Sequence, residues 1–593
     1  MEETVQVLFD EGALVRDGNA MRLTRPLGEL KIPPTVQGIL AARIDRLPAD
    51  AKELLQTLAI IGREFSLSLI RAMVAKSDDE LNRLLNDLQL GEFIYEQPAV
   101  GDTKYIFKHA LTQEMAYNSV LIERRQQLHG RIGAAIESLY TTLIEDHLDE
   151  LAHHYGRSGN VRKALEYYER AGRQAAQRSA YTDAIRALSA ALELLKRLPE
   201  SPERDRQELG LQTTLGPVLV ITEGWTAPET ERVYLRAQEL AETGGTAAQR
   251  FLLLIGLFGM DFAAGRLPEA RERLEQVRTL VSRQPEPEFL LELQHFDWAL
   301  ALSSGELGAA QRHVEDGLAF CQAQPGSVRV TLYTADHPAV CVHAWGAIVF
   351  WMRGYPEKAR RHLDHAASSA HEIGHSASVI FALVNRAMFH QIAREVTPAL
   401  EAAEASITMA EEEGVALLDS WARVARGWAL AHLRQAEQGV AQIREGLAMT
   451  SASGAELWRT YHLAQLAEAC GKAGRVDEGL EAIAKALDVV QEQGERWWEA
   501  EILRLRGELL LKRNPPELAD AQTSFQQAIE IARQQGAKSL ELRATMSLAR
   551  LLDKQGKRDQ ARAMLAEIYN WFTEGFDTAD LRDAKALLDE LAH

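Results

Sequence analysis

The residues His371-Glu372-Ile373-Gly374-His375 form the pattern H-E-x-x-H, which points to metal chemistry. In zinc peptidases this spacing puts two imidazoles on one face of a continuous helix and makes the glutamate a general base. Here Gly374 falls where the repeats described below predict the end of a helix, and a helix that ends between the histidines cannot hold a metal in that way. No third ligand is evident. We therefore predict a helix C-terminus with His371 and His375 facing solvent, and a zinc hydrolase stays an alternative that metal analysis would test.

Three further histidines, His147, His153 and His154, lie close together in the sequence. Adjacent residues on a helix point in different directions, so the pattern does not favour a shared ion. The chain contains no G-x-x-x-x-G-K-[ST] phosphate loop, no G-x-G-x-x-G, no G-x-S-x-G and no cysteine beside a suitable histidine. The sequence thus predicts a protein that is not an enzyme, with no catalytic residues, no metal and no cofactor of its own.

Two clusters resemble ligand-binding residues but have ordinary alternatives. Arg124, Arg125 and Arg131, in IERRQQLHGR, suit DNA binding by a helix, or they form a solvated helix face. Trp497 and Trp498 suit stacking on a ligand in a groove, or core packing between helices, and packing is the favoured interpretation.

Composition limits the function further. The 593 residues carry a formal charge of −19, with 46% hydrophobic and 25% charged residues, as in ordinary folded proteins. Such an acidic chain repels nucleic acid. The three cysteines are scattered, the N-terminus has no secretory signal, and the most apolar run, FLLLIGLFGM, is far shorter than the ~20 residues needed to cross a bilayer. We predict a cytoplasmic protein without a membrane segment.

A helix signature returns about every 40 residues through the last two-thirds of the chain. Small or apolar residues stand at positions i, i+4 and i+7 of each copy, and self-similarity at a fixed period is typical of a solenoid. We predict an all-α, tetratricopeptide-like solenoid over residues 141–593, with helices about a turn longer than in the ~34-residue standard repeat. The copies are Ala270/Leu274/Val277, Ala310/Val314/Gly317, Ala359/Leu363/Ala366, Ala399/Ala403/Ser406, Gly439/Ile443/Gly446, Gly479/Ile483/Ala486, Ala521/Phe525/Ala528 and Ala561/Leu565/Ile568.

Residues 49–140 have the element order of a winged helix. Three helices are predicted, over 49–62, 65–74 and 78–90, and Ser77 with Glu80 forms a capping box for the third. The runs FIYEQ and KYIFKH, joined by a Pro/Gly/Asp turn, predict a β-hairpin wing. One long helix is predicted over 110–140. Residues 1–48 are interpreted as a remnant or linker that precedes this domain.

Several segments resemble bacterial signal-transduction ATPases with numerous domains (STAND). FKHALTQEMAYNSVLIERRQQLHGRI is similar to their winged-helix end, and IPPTVQGILAARIDRLP and IIGREFS to the segment after the ATPase core. GERWWEAEILRLRGELLL and WFTEGFDTADLRDAKALLDEL are similar to the tetratricopeptide tail of members that also carry a class III adenylate/guanylate cyclase domain. The resemblance covers essentially the whole chain. It implies that the cyclase and ATPase motifs would lie upstream, so neither activity carries over.

The resemblance also implies a role for one residue. In related ATPase switches a histidine at the end of the wing reaches the β-phosphate of the bound nucleotide, and Phe107-Lys108-His109 stands at that place. His109 is thus a candidate phosphate sensor, with ATP or ADP supplied by an ATPase module in cis or in trans. The alternative is a histidine that is satisfied locally at a strand-to-helix junction.

Together these features predict a regulatory, partner-binding protein. An effector or protein partner would bind in the concave groove of the solenoid, and the winged helix would relay binding to an ATPase or cyclase module. Two alternatives stay open, a winged-helix transcriptional regulator that binds DNA and a free-standing scaffold. The acidic third helix, DDELNRLLNDLQL, counts against DNA binding.

Overall fold

A computed structural model describes residues 14–17, 20–24, 36–97, 102–323 and 337–593. The chain divides into two compact units, the first made of 1–174 with 186–199 and the second of 175–185 with 200–593. Most of the predicted linker over 1–48, and the turn of the predicted wing, lie outside the described residues. The predicted domain boundaries stay an interpretation.

The first unit combines helices with a small sheet. The strands β1 and β2 form an antiparallel pair, and β3, β4 and β5 form a sheet in the order β3-β5-β4. In chain order the elements are β1 (Leu14–Asp17), β2 (Ala20–Leu23), α1 (Val36–Asp45), α2 (Ala49–Ile61), β3 (Glu64–Ser66), α3 (Leu67–Met73), α4 (Asp78–Leu90), β4 (Ile94–Gln97), β5 (Lys104–Phe107), α5 (Ala110–Asn118), α6 (Ile122–Leu139), a 3₁₀ turn (Ile144–His147), α7 (Leu148–Ser158), α8 (Val161–Gln177) and α9 (Tyr181–Leu195), the last two crossing into the second unit.

The sheet confirms the predicted hairpin and corrects the helix before it. Strands β4 and β5 pair antiparallel, as FIYEQ and KYIFKH predict. Residues 65 and 66 were expected to open a helix, but they belong to β3, and Phe65 is paired with Tyr105. The Phe65 ring is buried and meets Phe107 edge-on at 5.6 Å, so burial in the sheet outweighs local helical preference.

The long helix predicted over 110–140 is two helices. Helix α5 ends at Asn118 and α6 begins at Ile122. The Ser119 hydroxyl donates to the Ala116 carbonyl at 2.7 Å and accepts from the Gln56 side chain at 2.9 Å. Serine competes in this way with helical backbone bonds, which favours a break. The predicted start of α4 is confirmed, because the Ser77 hydroxyl accepts from the Glu80 backbone N–H.

The second unit is a tetratricopeptide-like solenoid of helical hairpins, as the repeats predict. Helices of 17 or 18 residues are common in it, longer by about a turn than the standard repeat allows. Its helices are α10 (Pro202–Glu223), α11 (Pro228–Thr243), α12 (Ala247–Ala263), α13 (Leu267–Arg283), α14 (Pro287–Ser303), α15 (Leu307–Ala323), α16 (Pro338–Met352), α17 (Pro356–Ile373), α18 (Ser376–Ile392), α19 (Val396–Glu413), α20 (Ala416–His432), α21 (Ala436–Ala452), α22 (Arg459–Lys472), α23 (Val476–Gln493), α24 (Glu499–Lys512), α25 (Leu518–Gln535), α26 (Lys538–Lys554), α27 (Arg558–Tyr569) and α28 (Ala579–Glu590).

The even-numbered helices form the inner layer of this solenoid. Each packs against the odd-numbered helix of its own hairpin, and many also pack against the next even-numbered helix, as α18 does against α20. The apolar run FLLLIGLFGM lies in α12 and is largely buried in this core. Among the described residues no helix is both long enough and apolar enough to cross a membrane.

Small residues bring the helices of a hairpin into close contact. A Cβ atom on Gly439 would lie 2.5 Å from the Gly427 carbonyl oxygen and 2.8 Å from the Ala431 backbone nitrogen. Helices α20 and α21 therefore touch through their backbones at this point. Gly446, another position that defines the repeat, is similarly close, since its Cβ would lie 2.7 Å from the Ser420 carbonyl oxygen.

Hairpins far apart in the sequence also touch. The Glu456 backbone N–H donates to the Ala263 carbonyl at 2.7 Å, and that of Arg496 to the Ser303 carbonyl at 2.9 Å. The Ser539 hydroxyl donates to the Trp351 carbonyl at 2.6 Å, across 188 residues of sequence. The solenoid thus turns tightly enough for a hairpin to rest on another that lies five hairpins earlier.

We expect Gly439→Ala to destabilise the second unit by about 1–3 kcal/mol, because the new methyl group meets backbone atoms that cannot move aside. Gly308→Ala is the matched control, since the methyl group added to this helical glycine would meet only the end of Arg312, at 4.0 Å. The control should be neutral or more stable by up to about 1 kcal/mol. Urea unfolding followed by circular dichroism gives both values, and equal midpoints for the two variants would contradict the close-contact argument.

Candidate functional site on the inner face of the solenoid

The inner helices enclose an apolar cavity. It spans about 880 Å³, part of it open to solvent, and aromatic and aliphatic side chains from six consecutive inner helices line it. We call it the apolar cavity. Its lining residues are Val220, Ile221, Trp225, Phe258, Gly259, Phe262, Ala263, His295, Phe296, Ala299, Cys341, Trp345, Phe381, Val415, Leu417, Leu418, Trp421, Ala455 and Leu457.

Two tryptophans of the cavity lining carry a buried donor without a partner. The indole nitrogens of Trp345 and Trp421 make no hydrogen bond within the part of the chain that the structure describes. These side chains are only 5% and 4% exposed. A buried N–H group without an acceptor costs about 1–3 kcal/mol, which an acceptor on a ligand would recover.

A chain of aromatic rings in contact leads away from this cavity, and we call it the aromatic ladder. Trp345 and Trp421 each lie 5.1 Å from the ring of Trp458. Trp458 lies 5.3 Å from Trp497, which lies 5.1 Å from Trp498. Such pairs each stabilise the fold by about 0.5–1.5 kcal/mol beyond the area they bury.

Trp458 occupies the centre of the ladder in a costly backbone conformation. Its φ of 61° and ψ of 22° are left-handed, at the N-terminus of α22. This conformation costs roughly 1–2 kcal/mol for a residue with a side chain. The fully buried indole offsets that cost through its three ring contacts.

The ladder ends at a second cavity, which we call the polar cavity; it spans about 860 Å³, including the part that is open to solvent, and is rich in charge. Its lining residues are Gln391, Ile392, Arg394, Trp428, His432, Gln465, Glu468, Lys472, Trp498, Glu501, Arg504, Leu505, Arg543, Met546, Ser547, Arg550, Asp580 and Asp583. The Trp498 indole nitrogen and Gln465 Oε1 are buried here, and within the described residues neither has a hydrogen-bond partner.

Ion pairs fix most of the charges in the polar cavity. Arg543 lies 2.8 Å from Asp580, and Arg504 lies 2.7 Å from Glu501. Glu468 accepts from the Trp428 indole at 2.8 Å and is 3.1 Å from His432. Burial alone would raise the pKa of Glu468, but these contacts hold it at about 2. This carboxylate is therefore charged at neutral pH.

Glu495, beside the ladder, has a raised pKa, in contrast to the lowered pKa of Glu468. It is fully buried, the Thr460 hydroxyl donates to its Oε1, and within the described residues its Oε2 has no partner. Burial raises the pKa of this carboxyl to about 7, against the opposing effect of Thr460 and Trp497. Near neutral pH the group is thus partly protonated.

A helix ends inside the H-E-x-x-H pattern, as predicted. Helix α17 ends at Ile373, Gly374 is left-handed with φ 68°, and His375 precedes α18. His371 faces solvent, but the prediction was wrong for His375, which is buried. Its Nδ1 is 2.9 Å from the Ser378 hydroxyl and its Nε2 is 3.2 Å from that of Tyr181, so one local and one long-range bond hold the ring inside.

The expectation that neighbouring histidines point apart was also wrong for one pair. His153 and His154 each place a ring nitrogen within 4.8 Å of the other and of His129, a residue that sequence spacing did not bring into consideration. His129 lies on another helix, α6, and its ring centroid is 5.9 Å from that of His153 and 5.2 Å from that of His154. His147 lies outside this group, where it pairs with Glu150 at 3.0 Å.

The basic cluster lies on a solvated helix face, where Arg124 and Arg131 are exposed, and its members also make local contacts. Arg124 pairs with Glu53 at 2.5 Å, Arg125 lies over a tyrosine ring, and the Arg131 guanidinium donates to the Met73 carbonyl at 2.7 Å. His109 is half-buried and precedes α5, where its carbonyl accepts from the Thr112 backbone N–H at 3.0 Å. Its predicted role stays a prediction.

The sequence singled out Trp497 and Trp498 at one end of the ladder, but not the other tryptophans of the ladder. Trp497 and Trp498 are buried as the packing interpretation expects, although Trp498 also lines the polar cavity. Trp458 stands one 40-residue repeat before Trp498, and this spacing was the available signal. Nothing in the sequence indicated that Trp345 joins them, because that contact depends on how far the solenoid turns.

Comparison with known proteins leaves the family open. No family model matches the chain. An uncharacterized protein of Rhizobium meliloti, R02095, is 28% identical over 521 residues, which cover 87% of this chain and 50% of the relative. The chain thus spans about half the length of the curated relative it matches.

Solved structures with a similar fold are more distant. A STAND protein with a tetratricopeptide repeat sensor from Pyrococcus horikoshii is 13% identical with a TM-score of 0.29, covering 95% of this chain and 68% of its own. A Rap protein complexed with competence and sporulation factor is 10% identical with a TM-score of 0.45, covering 65% and 99%. The quorum sensor NprR from B. thuringiensis is 12% identical with a TM-score of 0.38, covering 63% and 99%.

We expect Glu495→Gln to remove a pH dependence of stability. Well below pH 4.5 the carboxyl is protonated in both states and contributes nothing. Between about pH 4.5 and pH 7 the unfolded chain releases a proton that the folded chain keeps, so wild type loses stability as pH rises, and above about pH 7 the loss is constant. Wild type should lose on the order of 3 kcal/mol relative to the variant between pH 4 and pH 9. Exposed Glu492→Gln is the control. Parallel stability–pH curves from urea unfolding of wild type and Glu495→Gln would contradict the raised pKa.

Proposed function

We propose that this chain is a non-catalytic regulatory protein whose solenoid binds a peptide segment of a partner on its inner face. The apolar cavity carries this proposal, because it combines a large apolar lining with the unpartnered indole N–H groups of Trp345 and Trp421. A peptide supplies both an apolar side chain for the lining and backbone carbonyls for the two donors. A purely apolar ligand would leave the donors unsatisfied.

The first unit is, in this proposal, a winged helix that relays binding to a nucleotide-binding module. Its three helices and the β4–β5 hairpin follow the winged-helix order, and the sequence resemblance to STAND proteins motivates the link to an ATPase or cyclase module. The effector must bind one arrangement of the protein better than the other for such a relay to operate. His109 is the proposed contact to the nucleotide phosphate, and its imidazole is able to donate to a phosphate oxygen.

Binding of nucleic acid has less support than binding of a peptide. Helix α4 begins with Asp78, Asp79 and Glu80, and its apolar face is buried in the first unit. A recognition helix needs a cationic, accessible face to neutralise DNA phosphates.

We expect Trp421→Phe and Trp345→Phe each to weaken peptide binding by roughly tenfold, because each removes one hydrogen bond and keeps an aromatic ring. The probes are peptides selected from a random displayed library on the full wild-type chain, with affinity measured by fluorescence anisotropy. Trp298→Phe is the matched control, since Trp298 is fully buried with an unpartnered indole nitrogen and is not part of the apolar cavity lining. A library that yields no binder, or equal losses in all three variants, would sink the proposal.

The relay makes a separate prediction about His109. The purified chain should change the ATP hydrolysis rate of a phosphate-loop ATPase module from the same organism, and His109→Ala should abolish that change while peptide binding persists. The control is His147→Ala, at a partly exposed histidine of the same unit, which should leave the change in hydrolysis rate intact. Hydrolysis rates that do not respond to the wild-type chain would refute the relay and leave the peptide-binding proposal standing.

A further inference from the structure

The first unit contains three histidines whose ring nitrogens converge. His129 lies on α6, and His153 and His154 lie on α7. One ligand atom from each lies within 4.8 Å of the others. His129 and His154 are buried, and His153 is exposed at the edge of the group.

The two buried rings face each other through the same type of atom. Nδ1 of His129 is 2.9 Å from Nδ1 of His154. Each ring also has a hydrogen-bond partner outside the pair. Nε2 of His129 is 3.2 Å from the Tyr117 hydroxyl, and the Ile61 backbone forms a hydrogen bond with His154.

With these outer partners, the histidine pair has two possible protonation states. Without a metal, the Tyr117 hydroxyl donates to His129 and a single proton joins the two Nδ1 atoms. If that proton instead resides on Nε2 of His129, the Nε2–H group donates a hydrogen bond to the Tyr117 oxygen. Both Nδ1 atoms then carry lone pairs that face the same point. A metal ion satisfies that second state, and outer hydrogen bonds of this type orient histidine ligands in metal proteins.

We propose that His129, His153 and His154 form a three-histidine site for Zn²⁺, with water as the fourth ligand. Imidazole nitrogen suits zinc, and three histidines with an open position are an established zinc geometry. Zinc–nitrogen bonds of about 2.0–2.1 Å place ligand atoms about 3.4 Å apart in a tetrahedron. The buried pair must separate by a few tenths of an ångström, and the exposed His153 ring must move inward.

Arg157 competes with the ion for His153. Its guanidinium lies 3.1 Å from His153 Nδ1, to which it donates. That bond fixes the remaining proton on Nε2, so His153 cannot offer a lone pair to the metal until Arg157 leaves. The positive charge of Arg157 also opposes a nearby cation. Removal of this side chain should therefore strengthen zinc binding.

The test titrates ZnCl₂ into the full chain after dialysis against a chelator, with isothermal titration calorimetry as the measurement. We expect one zinc per chain and a rise in melting temperature on binding, because zinc joins α6 to α7. His153→Gln should weaken binding by about 100-fold or more. This ring is exposed, so the variant keeps the fold that a change at buried His129 would endanger. Arg157→Gln should strengthen binding several-fold.

Two variants separate this site from other sources of zinc binding. His147→Gln, in the turn that leads into the same helix, and His371→Gln, in the H-E-x-x-H pattern, should both bind zinc as wild type does. Loss of zinc in His371→Gln with retention in His153→Gln would place the ion elsewhere and overturn the proposal. Absence of stoichiometric binding to wild type would overturn it as well, and the cluster would then be a hydrogen-bonded histidine pair.

Discussion

The close approach of paired helices is the constraint on which the solenoid depends. At Gly427 and Gly439 two backbones meet with no room for a side chain. Similar small positions recur in each hairpin, and they keep the hairpins thin. Thin hairpins allow the chain to curve until the Glu456 backbone reaches the Ala263 carbonyl. The inner helices then surround the two cavities in place of an open groove.

The aromatic ladder gives this arrangement a rigid interior. Trp458 accepts a left-handed backbone so that its ring can reach Trp345, Trp421 and Trp497. The ladder also separates two environments of opposite character. One side offers apolar walls with unpartnered N–H groups, and the other offers paired charges such as Arg543 and Asp580. The chemistry of a ligand therefore decides which cavity accepts it.

The sequence predicts local features well and long-range ones poorly. The 40-residue period predicted the solenoid, and Ser77 and Gly374 correctly marked a helix start and a helix end. The wrong predictions concern burial and direction, which depend on partners elsewhere in the fold. His375 is buried because Tyr181, 194 residues away, reaches it. Trp345 was missed for the same reason, since its ring neighbour Trp458 lies 113 residues later in the sequence, and His129 was missed because its neighbours lie on the next helix.

The contacts between hairpins that lie five hairpins apart have a consequence for how such a chain evolves. In an ordinary solenoid each repeat touches only its neighbours, so repeats are gained and lost with little harm. Here the Ser539–Trp351 contact spans 188 residues. Deletion of one hairpin between them would shift every such pairing out of register. The number of repeats in this region is therefore locked, and variation among descendants must proceed by substitution.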